Sequence, residues 1–291
     1  MARTQPTPGM ARTLEDLRRH IARMRKAGET VALVPTMGAL HDGHLTLVRT
    51  ARKKAQRVVV SIFVNPTQFA PNEDLARYPR DEAGDLEKLA TVGTDLVWAP
   101  APDEMYRPGF ATRIEVGGAA EGLEGSFRPH HFGGVATVCC KLFSQVTPDI
   151  ALFGEKDYQQ LCVIRQMVRD LDLPLAIQGV PTVREKDGLA LSSRNAYLTP
   201  EQRAAAPALN AAIRAVAATV ATGGRQAPAI KAAGKALERA GFGPIDYVAI
   251  ADAETLGPWQ ARSGRPGRVL AAAKLGATRL IDNVAIPRPK A

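Results

Sequence analysis

The stretch from Thr30 to Val64 reads TVALVPTMGALHDGHLTLVRTARKKAQRVVVSIFV, and its pattern decides the fold. Residues 30–35 and 58–64 are short apolar runs rich in β-branched side chains, which is typical of buried strands in a parallel sheet. Between them, residues 42–54 repeat apolar side chains at helical spacing. The order strand, glycine-containing turn, helix and strand predicts a βαβ unit.

The same alternation continues through the first two-thirds of the chain. It predicts helices over 13–26, 80–92, 133–146 and 158–171, and strands over 95–99, 149–153 and 175–183. Repeated units of this kind predict an α/β fold, a Rossmann-like doubly wound parallel sheet.

The composition changes after about residue 182, where alanine-rich helices over 200–221 and 226–240 precede three short strands. These strands are predicted over 247–250, 268–273 and 279–284. We therefore predict a frayed N-terminal tail over 1–12, a Rossmann-like domain over 13–183 and a smaller C-terminal α+β domain over 184–291.

The composition is that of an ordinary globular protein. The chain has 291 residues, 45% of them hydrophobic and 23% charged, which excludes disorder and collagen-like structure. Its apolar runs are shorter than the roughly 18 residues of a membrane-spanning helix, so no span is predicted. No apolar stretch follows Arg3, so the N-terminus does not resemble a secretory signal.

Cysteine content and net charge indicate the cellular compartment and the class of partner. Cys139, Cys140 and Cys162 have no C-x-x-C spacing, which favours a reducing compartment, the cytoplasm, and thiols that are buried. The net charge of +9 is dispersed and only 5% of residues are aromatic, which argues against a nucleic-acid partner. Solvated helix faces explain such a charge pattern, and an anionic small substrate also benefits from it.

Two histidines stand at the turn after the first strand of the βαβ unit, in the string PTMGALHDGH of residues 35–44. Ligands of open parallel sheets bind beyond the carboxyl ends of the strands. His41 and His44 are three residues apart at a helix start, so both imidazoles lie on one side. Helix N-termini bind phosphate, and imidazoles donate to its oxygens. A polyphosphate site is predicted; the alternatives are a zinc site and two solvated loop histidines.

Three further strings follow predicted strands. In residues 154–160, a bound anion explains Lys156 at a helix start, where it opposes the helix dipole; the alternative is a capping turn by Asp157 with Lys156 in water. Residues 186–195 combine two hydroxyls with an arginine, a set that binds phosphate, although alone they are an ordinary polar loop. Residues 65–69 offer two amides to a substrate, or simply an Asn-Pro turn.

Two common nucleotide motifs are absent from the sequence. The spacing of Gly117 and Gly122 fits a P-loop, but Leu123 stands where its lysine belongs. No G-x-G-x-x-G follows the first strand. A kinase-type P-loop and a standard dinucleotide site are therefore not predicted.

Several strings resemble known families. HDGH at 41–44 resembles the HxGH signature of the nucleotidyltransferase superfamily, and LSSR at 191–194 resembles a relative of the KMSKS loop. Five longer strings together resemble the pantoate–β-alanine ligases, in order from about residue 13 to residue 286. They are VPTMGALHDGH at 34–44, SIFVNPTQF at 61–69, DLARYPR at 74–80, FGEKD at 153–157 and DGLALSSRN at 187–195.

This resemblance implies an ATP-dependent ligation in two steps. Pantoate attacks the α-phosphorus of ATP to give pantoyl adenylate and pyrophosphate, and the amine of β-alanine then displaces AMP. It also implies Mg²⁺ accompanying ATP, carried mostly by phosphate and water without a protein metal ligand. A cytoplasmic homodimer without nucleic-acid or membrane partners is expected. The alternative is another HxGH-type nucleotidyltransferase.

The resemblance also implies the site residues. For ATP they are Met37, Gly38, Ala39, Leu40, His41, Asp42, Gly43, His44, Gly154, Glu155, Lys156, Asp157, Val183, Leu191, Ser192, Ser193 and Arg194; for pantoate they are Asn65, Gln68 and Gln160, with Gln68 also facing β-alanine. The implied catalytic residues are His44 as proton donor, His41 beside it on the phosphates, and Lys156 and Arg194 on the triphosphate charge. The second domain is expected to act as a lid over ATP.

Two positions depart from the family pattern. His130-His131 stands where the family usually has Gly-His, so His131 fits the pattern and His130 does not. Cys139-Cys140 stands where small aliphatic residues are usual, an exchange that buried packing tolerates.

Overall fold

Parallel strands form the centre of the first part of the chain. In the computed structural model, which describes residues 7–71 and 73–287, they are β1 (Gly9–Ala11), β2 (Val31–Thr36), β3 (Arg57–Ile62), β4 (Leu96–Trp98), β5 (Ile150–Gly154) and β6 (Ala176–Val180). Their order in the sheet is β1-β4-β3-β2-β5-β6, with every pair parallel. The predicted doubly wound parallel sheet is confirmed.

Helices connect these strands and continue beyond them. In chain order they are α1 (Leu14–Lys26), α2 (Asp42–Arg52), α3 (Glu82–Thr91), α4 (Pro102–Met105), α5 (Leu123–Phe127), α6 (His131–Val146), α7 (Tyr158–Asp170), α8 (Pro200–Ala205), α9 (Ala208–Ala221) and α10 (Gln226–Arg239). Thr13 begins α1, because its hydroxyl accepts from Asp16 N at 3.2 Å and caps the helix.

The strand order creates a switch point in the sheet. The chain proceeds from β2 through β3 to β4 on one side and returns to β5 on the other side of β2. Ligands of doubly wound sheets bind at the carboxyl ends of strands that flank such a switch. The strands that flank this switch are β2 and β5. The histidine turn follows β2, and the string that begins at Gly154 lies at the end of β5, so the topology and the motifs indicate the same segments.

The contacts divide the chain into two units. The first comprises the described residues up to Val116, together with Arg128–Glu155 and Val163–Pro181; the second comprises Gly117–Phe127, Lys156–Cys162 and the described residues from Thr182 onward. The final passage between units, at Pro181–Thr182, lies next to the predicted boundary after Val183. The two short earlier segments of the second unit were not anticipated from the sequence.

The second unit contains an antiparallel sheet in the order β7-β8-β9, formed by β7 (Phe242–Asp252), β8 (Gly267–Leu275) and β9 (Thr278–Ala285). Helices α9 and α10 pack on it through Ile213, Leu237 and their apolar neighbours. The predicted smaller α+β architecture is present, and β7 is longer than the predicted strand.

Two expectations from the sequence are wrong. Residues 9–11 are not part of a frayed tail, because they pair with Leu96–Trp98 and leave Ala11 fully buried; residues 1–6 of the predicted tail lie outside the described residues. The single helix predicted over 200–221 is two helices, since Pro207 lacks the N–H that would continue the first one.

The stretch Pro200–Ala221 also has the length and hydropathy of a membrane span. Core helices of water-soluble proteins share these properties, and here Leu209, Ile213 and Val216 are buried in the second unit. The stretch is therefore weak support for a membrane span.

The three cysteines are free thiols. Cys139 and Cys162 are buried and Cys140 is half-buried. Burial raises the pKa of Cys139 to about 12 and also raises that of Cys140. They pack as small apolar side chains, as expected.

Candidate active site

The turn between β2 and α2 is tightly shaped. Gly38 has φ of +82° and Ala39 has φ of +50°. A Cβ on Gly38 would lie 3.1 Å from Asp85 Oδ2 and 3.2 Å from Ile62 Cγ2, so a side chain there would be both crowded and strained. The Thr36 hydroxyl donates to the Ser61 carbonyl at 2.7 Å and fixes the start of the turn.

Two side chains of α3 hold the peptide that precedes the histidines. Asp85 Oδ1 accepts from Leu40 N at 2.7 Å, and Lys88 Nζ donates to the Leu40 carbonyl at 3.0 Å. Asp85 is only 1% exposed, and burial raises the pKa of its carboxyl. Neither residue was predicted from the sequence, where the signal was a charged side chain on the apolar face of a helix.

The two histidines form a pair at the N-terminus of α2. Their ring centroids are 4.1 Å apart. His41 caps the helix, its Nδ1 accepting from Gly43 N at 3.1 Å, and His44 Nδ1 accepts from His41 N at 3.3 Å. A neutral imidazole that accepts at Nδ1 carries its hydrogen on Nε2. Both rings are therefore set as Nε2–H donors, the form that an anionic oxygen requires.

The amides predicted to bind substrate lie in a 3-10 turn after β3. Gln68 Nε2 is 2.9 Å from Met37 Sδ, so the structure brings this turn to the histidine turn. Asn65 is 1% exposed, and its Nδ2 donates to Gln68 Oε1 and to the Gly134 carbonyl, each at 3.1 Å. Its Oδ1 accepts from the Tyr106 hydroxyl at 2.8 Å. Asn65 thus fixes the position of the Gln68 side-chain amide through a hydrogen bond.

The main chain of Gln68 is held from the start of α6. Its carbonyl accepts from His131 Nδ1 at 3.0 Å and from Arg128 Nη2 at 3.4 Å. A carbonyl only accepts, so His131 carries its hydrogen on Nδ1. Arg128 also makes a bidentate pair with Glu73, with both distances 2.6 Å. His131, which fits the family pattern, contacts Gln68, a predicted site residue, whereas His130 is exposed.

The Lys156 segment lies in a 3-10 turn that leads into α7. The Lys156 side chain is 19% exposed with Nζ 3.6 Å from Asp157 Oδ1, so it does not extend into water. The Lys156 carbonyl accepts from Asn283 Nδ2 at 2.9 Å. Among the following residues, Gln160 is half-buried, and Gln159 is buried with its Oε1 accepting from Glu124 N at 2.9 Å.

The loop over residues 183–194, which carries the remaining predicted residues, is held together by its own hydrogen bonds. Leu191 N donates to the Val183 carbonyl at 3.0 Å. Ser192 then caps the 3-10 helix Ser193–Tyr197, its hydroxyl accepting from Arg194 N at 3.3 Å. The residues from Leu191 to Arg194 are all partly exposed, which leaves them accessible to a ligand.

The predicted site residues therefore fall on both units. Met37–His44, Asn65, Gln68, Gly154 and Glu155 belong to the first unit, and Lys156, Asp157, Gln160, Val183 and Leu191–Arg194 belong to the second. Within the described part of the chain, no three histidine, cysteine or carboxylate side chains cluster as a metal site.

Comparisons with known proteins agree with these motifs. The family described as Pantoate-beta-alanine ligase matches residues 9–285. Pantothenate synthetases of Caulobacter vibrioides and Mesorhizobium japonicum are 56% and 58% identical to the chain, over 96% of it in each case and over 99% and 98% of those proteins.

Solved structures give the same result. Pantothenate synthetase from Thermus thermophilus has a TM-score of 0.89 and 49% identity, covering 97% of this chain and 100% of that one. Pantoate-beta-alanine ligase from Francisella tularensis, complexed with beta-gamma ATP and beta-alanine, has a TM-score of 0.81 and 32% identity, covering 96% and 97%. On the family match and these identities, the chain belongs to the pantoate-beta-alanine ligase family.

Proposed function

We propose that the chain condenses pantoate with β-alanine through a pantoyl adenylate. The chain is a ligase of its family, with ATP as the energy source. In the first step a pantoate carboxylate oxygen bonds to the α-phosphorus of ATP, and the bond to pyrophosphate breaks. In the second step the β-alanine amine attacks the acyl carbon, AMP leaves, and the amine loses a proton.

The observation that carries this proposal is that both imidazoles, those of His41 and His44, accept a backbone N–H at Nδ1. Each ring therefore carries its hydrogen on Nε2, at the N-terminus of α2 where phosphate binds favourably. Preorganised donors stabilise charge that develops on a leaving phosphate. His44 donates to the bridging oxygen, and His41 donates beside it.

Two cationic side chains and two hydroxyls are proposed to act on the triphosphate of ATP. Lys156 and Arg194 neutralise the triphosphate, with Ser192 and Ser193 donating to phosphate oxygens. Gly154, Glu155, Asp157, Val183 and Leu191 complete the ATP-binding set.

Amides select the substrate. Gln68 and Gln160 bind pantoate, and Gln68 also faces β-alanine. Asn65 also belongs to the residues proposed for pantoate. Its own amide is buried and bonded within the protein, so it contributes by positioning the Gln68 amide. The neutral amides suit a substrate with hydroxyl groups and a carboxylate.

Mg²⁺ enters with ATP and offsets the charge of its phosphates. This role needs few protein ligands, since Mg²⁺ keeps water and phosphate oxygens. The enzyme acts in the cytoplasm as a homodimer, and sedimentation of the purified chain tests the dimer.

The decisive experiment follows labelled pyrophosphate into ATP. Wild type is expected to exchange with pantoate alone and to release AMP once β-alanine is added, and His44→Ala is expected to lose both. Exchange with a phosphate ester or another acid instead of pantoate would favour the alternative, a different HxGH-type nucleotidyltransferase. Both arms use the full chain with Mg²⁺ and ATP.

A further inference from the structure

Asp282 and Asn283 are neighbours on β9 and both are buried, at 4% and 3% exposure. No step of the proposed reaction uses them. Their side chains alternate across the strand, as those of consecutive strand residues do. Strand β9 is at the edge of its sheet, so one side of its main chain has no strand partner among the described residues.

Asn283 holds the segment that contains Lys156. Its Nδ2 donates to the Lys156 carbonyl at 2.9 Å. Its Oδ1 accepts from Arg268, whose guanidinium carbon lies 3.6 Å from the centre of the Tyr158 ring. Asn283 thus links β9 directly to the turn before α7 and, through Arg268, to Tyr158 at the start of α7.

Asp282 holds the loop that leads to Ser192. Its carboxylate accepts both Nη atoms of Arg184, at 2.7 and 2.8 Å, and Asn210 Nδ2 at 3.0 Å. Arg184 Nη1 also donates to the Gly188 carbonyl at 3.1 Å, and its Nη2 donates to the Asn283 carbonyl at 3.2 Å. Arg184 therefore fastens its loop to the edge strand β9.

We infer that Asp282 and Asn283 are positioning residues for ATP: together they fix the Lys156 turn and the 184–195 loop against one rigid strand. The inference rests on the proposed function, in which these two segments bind the triphosphate. A buried carboxylate and amide are costly unless bonded. Here the Asn283 amide bonds to the Lys156 carbonyl, and the Asp282 carboxylate reaches the Gly188 carbonyl through Arg184. Such preorganisation lowers the cost of binding and of charge stabilisation.

The sharpest test is Asn283→Asp. The variant keeps the shape and the oxygen that accepts from Arg268, but it loses the N–H donor to the Lys156 carbonyl. The KM for ATP in pantoate-dependent pyrophosphate exchange is expected to rise about tenfold, the usual effect of a lost buried hydrogen bond. The KM for pantoate is expected to stay within about twofold of wild type. Asp282→Asn removes the charge facing Arg184, and it is likewise expected to raise the KM for ATP while leaving the KM for pantoate unchanged.

Asp246→Asn is the matched control. Asp246 is a largely buried carboxylate of the same sheet and pairs with Arg279 at 2.6 Å. It has no part in the site, so its substitution is expected to lower thermal stability without moving the KM for ATP. If all three variants only lower Tm, the role of the pair is structural and the inference is overturned.

Two further variants separate this inference from the proposed function. Lys156→Ala and Arg194→Ala are expected to raise the KM for ATP strongly. If both leave it unchanged, the ATP assignment itself fails; if they raise it while Asn283→Asp and Asp282→Asn do not, the positioning inference fails alone.

A measurement on wild type keeps the inference testable should the variants not fold. Hydrogen exchange with a non-hydrolysable ATP analogue is expected to show protection of the amides near Lys156 and of those near Ser192 over the same analogue concentrations. Protection of one segment without the other would overturn the inference.

Discussion

The two units hold their predicted site residues in opposite ways. In the first unit the protein bonds directly to the side chains expected to act: backbone N–H groups fix the rings of His41 and His44, and Asn65 fixes the amide of Gln68. In the second unit it bonds to the main chain, at Lys156 and around Gly188. A short or ring side chain such as histidine is useful only when its donor has a fixed orientation. A long, flexible cation such as lysine reaches its ligand once its main chain is held in place.

The largest expected effect is on the histidine pair. His44→Ala removes an oriented donor, and we expect kcat for pyrophosphate exchange to fall about 10²- to 10³-fold, the usual effect of losing one such donor. His130→Ala, an exposed histidine in the same unit, is the control and is expected to match wild type. Similar losses in both variants would contradict the special role of fixed rings.

The next effect compares the buried amide that positions Gln68 with a half-buried amide that is proposed to bind pantoate itself. Asn65→Ala is expected to raise the KM for pantoate about tenfold and to cost about 2 kcal/mol of unfolding free energy, since it strips a buried network. Gln160→Ala is expected to raise the same KM with a stability change within about 0.5 kcal/mol. Steady-state kinetics and denaturant unfolding measure both. Unchanged stability in Asn65→Ala would contradict the internal role of that amide.

A glycine pair tests the main-chain arrangement in the second unit. Gly188 has φ of +95°, and a Cβ there would lie 3.2 Å from Asn210 Oδ1; Gly223 has φ of +86° with no atom within 4 Å. Both alanine variants are expected to lose about 1 kcal/mol of stability. Only Gly188→Ala is expected to raise the KM for ATP severalfold, and equal KM values would show that the loop conformation is irrelevant.

The smallest effect concerns pH. Burial alone would raise the pKa of Glu73, but the hydrogen bonds and charge of Arg128 outweigh it and lower that pKa below its ordinary value. The stabilisation is therefore complete above the ordinary pKa and is lost as pH falls through the lowered one. Glu73→Gln is expected to cost about 1 kcal/mol at neutral pH.

Denaturant unfolding of Glu73→Gln and wild type across acid pH measures this effect. The difference in unfolding free energy between the two is expected to shrink as the carboxyl of wild type is protonated. A difference that does not change with pH would show that the Arg128 pair contributes nothing as an ion pair.

Local pattern predicted most of the fold, because apolar spacing determines which faces of helices and strands are buried. It failed where a distant partner decides the structure. Gly9–Ala11 is a strand only because β4 lies beside it, and residues 117–127 join the second unit through buried side chains such as Glu124. Pro207 was a local signal that should have divided the predicted helix.

The candidate site shows the same limit. HDGH and its neighbours were visible as strings, so the candidate side chains could be named from the sequence. Asp85, Arg128 and Asn283 were not, because each holds a residue 45 to 127 positions away through one or two hydrogen bonds. No spacing rule encodes such a contact; only the topology brings the partners together.

The adjacent cysteines of α6 have a chemical consequence. A thiol reacts with alkylating agents and peroxides as its thiolate. With the pKa of Cys139 near 12 and that of Cys140 also raised, both remain protonated at physiological pH. The two thiols of the helix that begins at His131 are thus expected to react slowly with iodoacetamide at neutral pH.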